Sequence, residues 1–243
     1  MHFYRSLHPM KAISFDLDDT LYDNYPVIYR TVIESHAALQ KYHPALYNFT
    51  LEHYEMLRHE LLQCEPNIYH DVSQWRYRAF ELALIKVGLS IKEAAHGAHE
   101  VMKIFHSWRN LVHIPEETHN TLTTLGKYVP LVAISNGNAD PYKLGINQYF
   151  KFTLRAGPDG RAKPCKDMYY LAAERLGIQP LHILHVGDDL MTDVVGSLNA
   201  GMQACWLNFR AVNNLIQDKK ARLLPHVEIS QLASLTSLTY LLQ

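Results

Sequence analysis

The chain has 243 residues, nearly half of them apolar, and 23 Lys and Arg against 24 Asp and Glu give a formal net charge of −1. That balance offers no global attraction to nucleic acid or to an anionic membrane. Cys64, Cys165 and Cys205 are far apart and form no C-x-x-C or zinc spacing, so reduced thiols and a cytoplasmic location are expected. The opening residues lack a signal-peptide h-region, and no uninterrupted apolar run reaches the roughly 18 residues of a membrane span. Length allows one large domain or two modest ones.

In chain order, Ala12-Ile13-Ser14-Phe15 reads as a short buried strand that runs into Asp16, Asp18 and Asp19. Three carboxylates cannot be buried unpaired, so this strand must end at an exposed edge, where a divalent cation is one reason to gather them. An acidic turn is the plainer reading of an isolated D-x-D. Asn24 and Pro26 then suit a helix start, with the helix running to about Tyr42, before Pro44. Leu51, Tyr54, Leu57, Leu61 and Leu62 recur at helical spacing until Pro66. A third helix is expected from about Asp71 to Val87, with Gly88 just past its end. Ser90 and Glu93 form a capping box for a fourth, which carries Ala94, Ala98, Val101, Met102, Phe105 and Trp108 as core residues. Four helices with no strand among them predict a helical bundle inserted after the first strand.

From Pro115 the pattern alternates. A helix through Leu125, a strand Leu131–Ser135, a short polar helix and a strand Phe150–Leu154 are expected in turn. A helix Met168–Leu176 closed by Gly177, a buried strand Ile183–Val186, a helix from about Thr192 to Ala200 and a strand Ala204–Leu207 follow. Such alternation means a Rossmann-like, doubly wound parallel α/β sheet, residues 1–21 and 113–243, with a helical insertion over 22–112. The stretch from Ala211 shows no readable pattern until Ile229 to Leu242, apolar enough for a final packing helix.

In an open parallel sheet, ligands bind beyond the carboxyl ends of the strands. There the sequence places Asp16-Leu17-Asp18, then Ser135-Asn136-Gly137, then Gly187-Asp188-Asp189 with Asp193, and between the last two a loop lysine, Lys163. Singly, each has a plain reading: a turn, a solvated charge, a helix N-cap. Jointly, Asp16, Asp188 and a backbone carbonyl can hold Mg²⁺. Ser135 and the Asn136 N–H donate to a phosphoryl group, and Lys163 supplies a point charge. Those groups form a site for phosphoryl transfer, and paired carboxylates suggest an aspartyl-phosphate intermediate.

With these four segments the chain resembles the haloacid dehalogenase-like (HAD) hydrolase superfamily, and the helical insertion is similar to its C1 cap. The resemblance implies that Asp16 is the nucleophile and a metal ligand. Asp18 would be the general acid/base and give its backbone carbonyl to the metal. Ser135, Asn136 and Lys163 would bind phosphate, Asp188 would ligate Mg²⁺, and Asp193 and Thr20 would support these groups from behind. Metal contact would keep Asp16 ionised, while Asp18 would hold a proton for the leaving alkoxide. Family dehalogenases lack that second aspartate, so Asp18 argues for phosphate chemistry. Asp189 departs from the smaller or hydroxylated residue of many relatives. Leu154-Arg155-Ala156-Gly157-Pro158, His185-Val186-Gly187-Asp188-Asp189-Leu190 and Gly201-Met202-Gln203-Ala204-Cys205-Trp206 further resemble bacterial phosphatases of 5-amino-6-(5-phospho-D-ribitylamino)uracil in riboflavin synthesis, which also accept related phosphates such as FMN.

The expected partner is therefore a small phosphate ester. A sugar phosphomutase and a catalytically silent metabolite-binding protein are the alternatives. Tyr22, Asn24, Trp75, Arg76 and Arg78 are the substrate candidates toward the insertion, although a core Trp and solvated Arg side chains are commoner. No H-E-x-x-H occurs, His96 and His99 lack a ligand partner, and His185 is expected to be a hydrogen-bonded core residue.

Overall fold

A computed structural model describes residues 1–209 and 224–242. Its sheet is built from β1 (His2–Phe3), β2 (Ala12–Phe15), β3 (Leu131–Ser135), β4 (Thr153–Arg155), β5 (Ile183–Gly187), β6 (Gln203–Leu207) and β7 (Val227–Ile229). The strand order is β1-β7-β6-β5-β2-β3-β4, parallel throughout except for the β1–β7 pair. Every residue of β2, β3, β5 and β6 is buried, as a sheet covered on both faces requires. The chain winds from β2 to β3 on one side and reaches β5 on the other, so β2 marks the switch point of a doubly wound sheet.

The described chain divides into two compact units, Met1–Asp23 with His113–Gly137 and Pro141–Gln243, and Asn24–Val112 with Asn138–Asp140. The second holds α1 (Tyr25–Tyr42), α2 (Leu51–Cys64), α3 (Val72–Lys86) and α4 (Ile91–Arg109). Leu39, Tyr54, Leu57, Phe80, Leu84, Val101 and Phe105 form its apolar core. Ser90 caps α4 through a reciprocal box with Glu93, and Gly88, at φ +98°, takes the left-handed turn that ends α3. The sheet unit holds α5 (Glu116–Leu125), α6 (Asp167–Leu176) and α7 (Gly196–Asn199). One sheet face packs Ala12, Val132, Ile134 and Ile183 against Met168, Tyr169 and Ala172 of α6.

Several elements differ from the sequence pattern. The strand expected over Phe150–Leu154 begins only at Thr153 and runs to Arg155, after a 3₁₀ turn over Asn147–Tyr149 and an irregular stretch over 150–152. The polar helix after Ser135 is a series of turns. In place of one helix from Thr192, a π-helical turn Leu190–Val195 leads into the four-residue α7, with Asp189 capping the turn. The apolar C-terminal run splits into β7 and a 3₁₀ helix Leu232–Leu241. β1, two exposed residues, had no periodicity to betray it. The unreadable stretch from Ala211 lies largely outside the described residues. Among these, no helix is long and apolar enough to cross a membrane.

Candidate active site

β2 lies between β3 and β5, so three adjacent strands end side by side. Asp16 follows β2 directly and is buried. Lys163, from the loop before α6, donates from Nζ to Asp16 Oδ1 at 2.5 Å and to Asp193 Oδ1 at 2.6 Å, with its side chain 1% exposed. Thr20 Oγ1 lies 3.1 Å from Asp188 Oδ1 and 3.4 Å from Asp16 Oδ2, so one hydroxyl bridges the two carboxylates. Tyr22, buried in the sheet unit, donates its hydroxyl to Asp18 Oδ1 at 2.7 Å.

Charge crowding governs these groups. Burial pushes the Asp16 carboxyl well above the usual range against the pull of Lys163, with Asp193 and Asp18 adding repulsion. Burial, then Asp193 and Asp19, push Asp188 up to about 7. Asp193 resists its own burial because Lys163 and His185 hold its carboxyl well below the ordinary value. Lys163 likewise stays an ammonium despite burial, since Asp16 and Asp193 raise it above its ordinary value.

Backbone and second-layer contacts fix the arrangement. The Asn136 side chain grips the Lys163 backbone, its Oδ1 accepting from Lys163 N at 2.7 Å and its Nδ2 donating to Lys163 O at 3.0 Å. Ser135 ends β3, and its Oγ accepts from Gly137 N at 2.9 Å. A Cβ at Gly137 would collide with the Asp18 carboxylate, and one at Gly187 with the Asp193 side chain. Both positions therefore need the bare backbone. Asp189 is an N-cap: its Oδ1 accepts from Met191 N, Thr192 N and the Thr192 hydroxyl. Trp206 Nε1 donates to the Asp188 carbonyl at 2.8 Å.

Carboxylate oxygens of Asp16, Asp188 and Asp193 lie within 4.8 Å of one another, a group able to hold a metal ion. The donor set fits a hard divalent cation, since all three groups offer carboxylate oxygens and face a single ammonium. Asp193 accepts from Lys163, His185 and the Asp189 N–H, which leaves Asp16 and Asp188 the less committed pair.

The other candidates sit in the helical unit. Asn24 is the N-cap residue of α1. Arg78 bridges Glu65 and Glu81, at 3.0 and 2.8 Å. Arg76 is buried over the Phe105 ring, with Nη1 3.4 Å from the Tyr54 hydroxyl. Trp75 donates to the Arg58 carbonyl and stacks under its guanidinium. Sequence reasoning missed the Asn136 clamp, the Trp206 contact and Ser14. The available signal for Ser14 was a polar residue inside an apolar strand, two positions before Asp16.

A family model described as haloacid dehalogenase-like hydrolase matches residues 10–201. The chain is 55% identical to the 5-amino-6-(5-phospho-D-ribitylamino)uracil phosphatase YigB of Escherichia coli (strain K12), over 98% of this chain and 100% of that protein. It is 28% identical to the human N-acylneuraminate-9-phosphatase, over 96% of this chain and 94% of that protein. A solved structure of a 2-haloacid dehalogenase from Pseudomonas syringae pv. Tomato DC3000 is similar with a TM-score of 0.89 and 34% identity, covering 95% of this chain and 98% of that one.

Proposed function

Since the chain belongs to the haloacid dehalogenase-like hydrolase family, we propose that it is a Mg²⁺-dependent phosphatase that hydrolyses 5-amino-6-(5-phospho-D-ribitylamino)uracil, a step of riboflavin synthesis. The observation that carries this reading is the near full-length similarity to the Escherichia coli enzyme of that activity. FMN and sugar phosphates are secondary substrates. The enzyme acts in the cytoplasm on a small molecule, without nucleic acid or membrane, and its three cysteines are free thiols.

The mechanism follows from the charges. Asp16 and Asp188, with the Asp18 backbone carbonyl, would hold Mg²⁺, which would supply positive charge to offset the carboxylates and the phosphoryl oxygens. Lys163 commits two of its three N–H groups to Asp16 and Asp193, and the third is left for a phosphoryl oxygen. The Ser135 hydroxyl and the Asn136 N–H complete the cradle. Asp16 attacks phosphorus, the ester P–O bond breaks, and Asp18 gives its proton to the departing alkoxide. Asp18, oriented by the Tyr22 hydroxyl, then takes a proton from water, whose oxygen attacks phosphorus and breaks the bond to Asp16. Inorganic phosphate leaves with Asp18 protonated again. A departing halide needs no proton, so dehalogenation would give Asp18 nothing to do.

Purified protein with Mg²⁺ should release inorganic phosphate from the ribitylaminouracil phosphate with kcat/KM at least about tenfold above FMN and sugar phosphates, a difference of about 1.4 kcal/mol in transition-state binding. It should release no chloride from 2-chloropropionate. Folded protein inactive on every ester would sink the reading in favour of a silent binding protein. Turnover that depends on a bisphosphate activator would make it a mutase.

A further inference from the structure

Ser14 on β2 and His185 on β5 are register partners, and both are buried in strands that are otherwise apolar. Ser14 Oγ lies 2.9 Å from His185 Nδ1, and His185 Nε2 lies 3.2 Å from Asp193 Oδ1, the oxygen that also accepts from Lys163. Ionised Asp193 can only accept, so the imidazole proton belongs on Nε2. Nδ1 is then the acceptor, and the Ser14 hydroxyl donates to it. Tyr169 meets the His185 ring edge-on, with centroids 5.0 Å apart and an interplanar angle of 89°. Its hydroxyl donates to the carbonyl of Thr192, the residue before Asp193. Two apolar side chains would satisfy these strand positions more simply, because a buried hydroxyl and imidazole must each find partners. Both do, and the chain of partners ends on Asp193.

We propose that Ser14 and His185 form a buried relay, Ser14 Oγ–H to Nδ1 and Nε2–H to Asp193 Oδ1, that positions Asp193 and through it the Lys163 ammonium. His185 touches no substrate in this arrangement; it is a positioning residue. Lys163 sits on a flexible stem, and its third N–H is aimed only if the acceptors of the other two are fixed. Asp16 is one of these acceptors. The other is Asp193, whose Oδ2 is held by the Asp189 N–H and whose Oδ1 is held by His185. The kinetic consequence rests on the phosphatase reading, whereas the order of the hydrogen bonds does not.

The test compares His185→Phe, which keeps the ring volume, with His185→Gln, which restores an N–H donor, and with Ser14→Ala. His185→Phe should lower kcat about 10- to 100-fold with KM moved less than about threefold. His185→Gln should recover most of kcat without exceeding His185→Phe in Tm, and Ser14→Ala should cost about 3- to 10-fold. Wild-type kcat in His185→Phe, or equal losses in the Phe and Gln variants, would reduce His185 to packing and overturn the relay. Nitrogen-15 NMR gives a readout free of turnover. The ring signals that vanish in His185→Gln should report a bare Nδ1 and a protonated Nε2, and should shift in Ser14→Ala. A protonated Nδ1, or ring signals indifferent to Ser14→Ala, would overturn the relay even if His185→Phe failed to fold. Wild-type protein inactive on every ester would remove the phosphatase reading alone, and the nitrogen signals would still decide the relay.

Discussion

Ionised Asp16, Asp188 and Asp193 face one ammonium, Lys163, so two negative charges in this buried cluster are unbalanced before any anionic phosphate arrives. The excess falls on Asp16, whose carboxyl is pushed well above the usual range by burial and by Asp193. Removing one partner of an isolated buried ion pair usually costs several kcal/mol, but here Lys163 would keep Asp193 as its counter-ion. Asp16→Asn should therefore leave the metal-free Tm equal to or above that of the wild type while lowering kcat at least about 10⁴-fold. Calorimetry and phosphate release check the two halves separately. Residual turnover near wild type would remove the covalent step, and a collapsed Tm would mean that Asp16 serves mainly to neutralise Lys163.

At the scale of elements, the Lys163 loop is pinned to the end of β3 by the two amide bonds from Asn136. Each such bond contributes about 1 kcal/mol, a modest share of the stability of a domain, yet together they set where the ammonium stem begins. Asn136→Ala should cost less than about 3 kcal/mol in stability but about tenfold or more in kcat/KM. Unchanged kcat/KM would show that the Asp16 and Asp193 contacts hold Lys163 without the clamp. This contact also shows what a sequence conveys. Asn136 is marked by its place at a strand end, but its grip on a residue 27 positions away depends on how the loop returns. β2, β3, β5, β6 and the four helices of the insertion were legible because apolar runs and 3.6-residue spacing are local properties. The short strands β1 and β7 were not, since two or three residues carry no period and pair only through the finished sheet. The π-helical turn was equally hidden. It opens after the Asp189 cap at Leu190, two residues before Thr192, and Asp193 lies within it. Strand-end acids and Lys163 could be read from the sequence. Ser14 opposite His185 could not, because register is a property of the pair of strands.

For the whole molecule, a net charge of −1 leaves little long-range field, so attraction of a phosphate ester must arise within the site, where carboxylates are in excess. That makes binding of a cation and release of protons one linked equilibrium. Asp188 is pushed up to about 7 by burial, Asp193 and Asp19, against an unfolded value of about 3.9. Between these values the metal-free native state holds a proton that the unfolded chain has lost. The slope of unfolding free energy with pH is then negative, and Asp188 makes the metal-free protein less stable as pH rises from about 4 through 7. This is opposite in sign to a carboxylate lowered by a salt bridge, such as Asp193. A divalent cation requires the ionised form, so Mg²⁺ held by Asp188 would have to displace its proton below pH 7 and would bind without that cost above it. The apparent Kd for Mg²⁺ should be about tenfold weaker at pH 6 than at pH 8, and the Tm gain on adding Mg²⁺ should be correspondingly larger at pH 8. Titration calorimetry at both pH values measures the difference, with proton release at pH 6 read from buffers of unlike ionisation enthalpy. Asp188→Asn should bind weakly and with little pH dependence. A wild-type Kd that is the same at pH 6 and 8 would mean that no Asp188 proton is displaced on binding, and loss of binding in Asp188→Asn would then decide whether Asp188 is a ligand already ionised at pH 6 or no ligand.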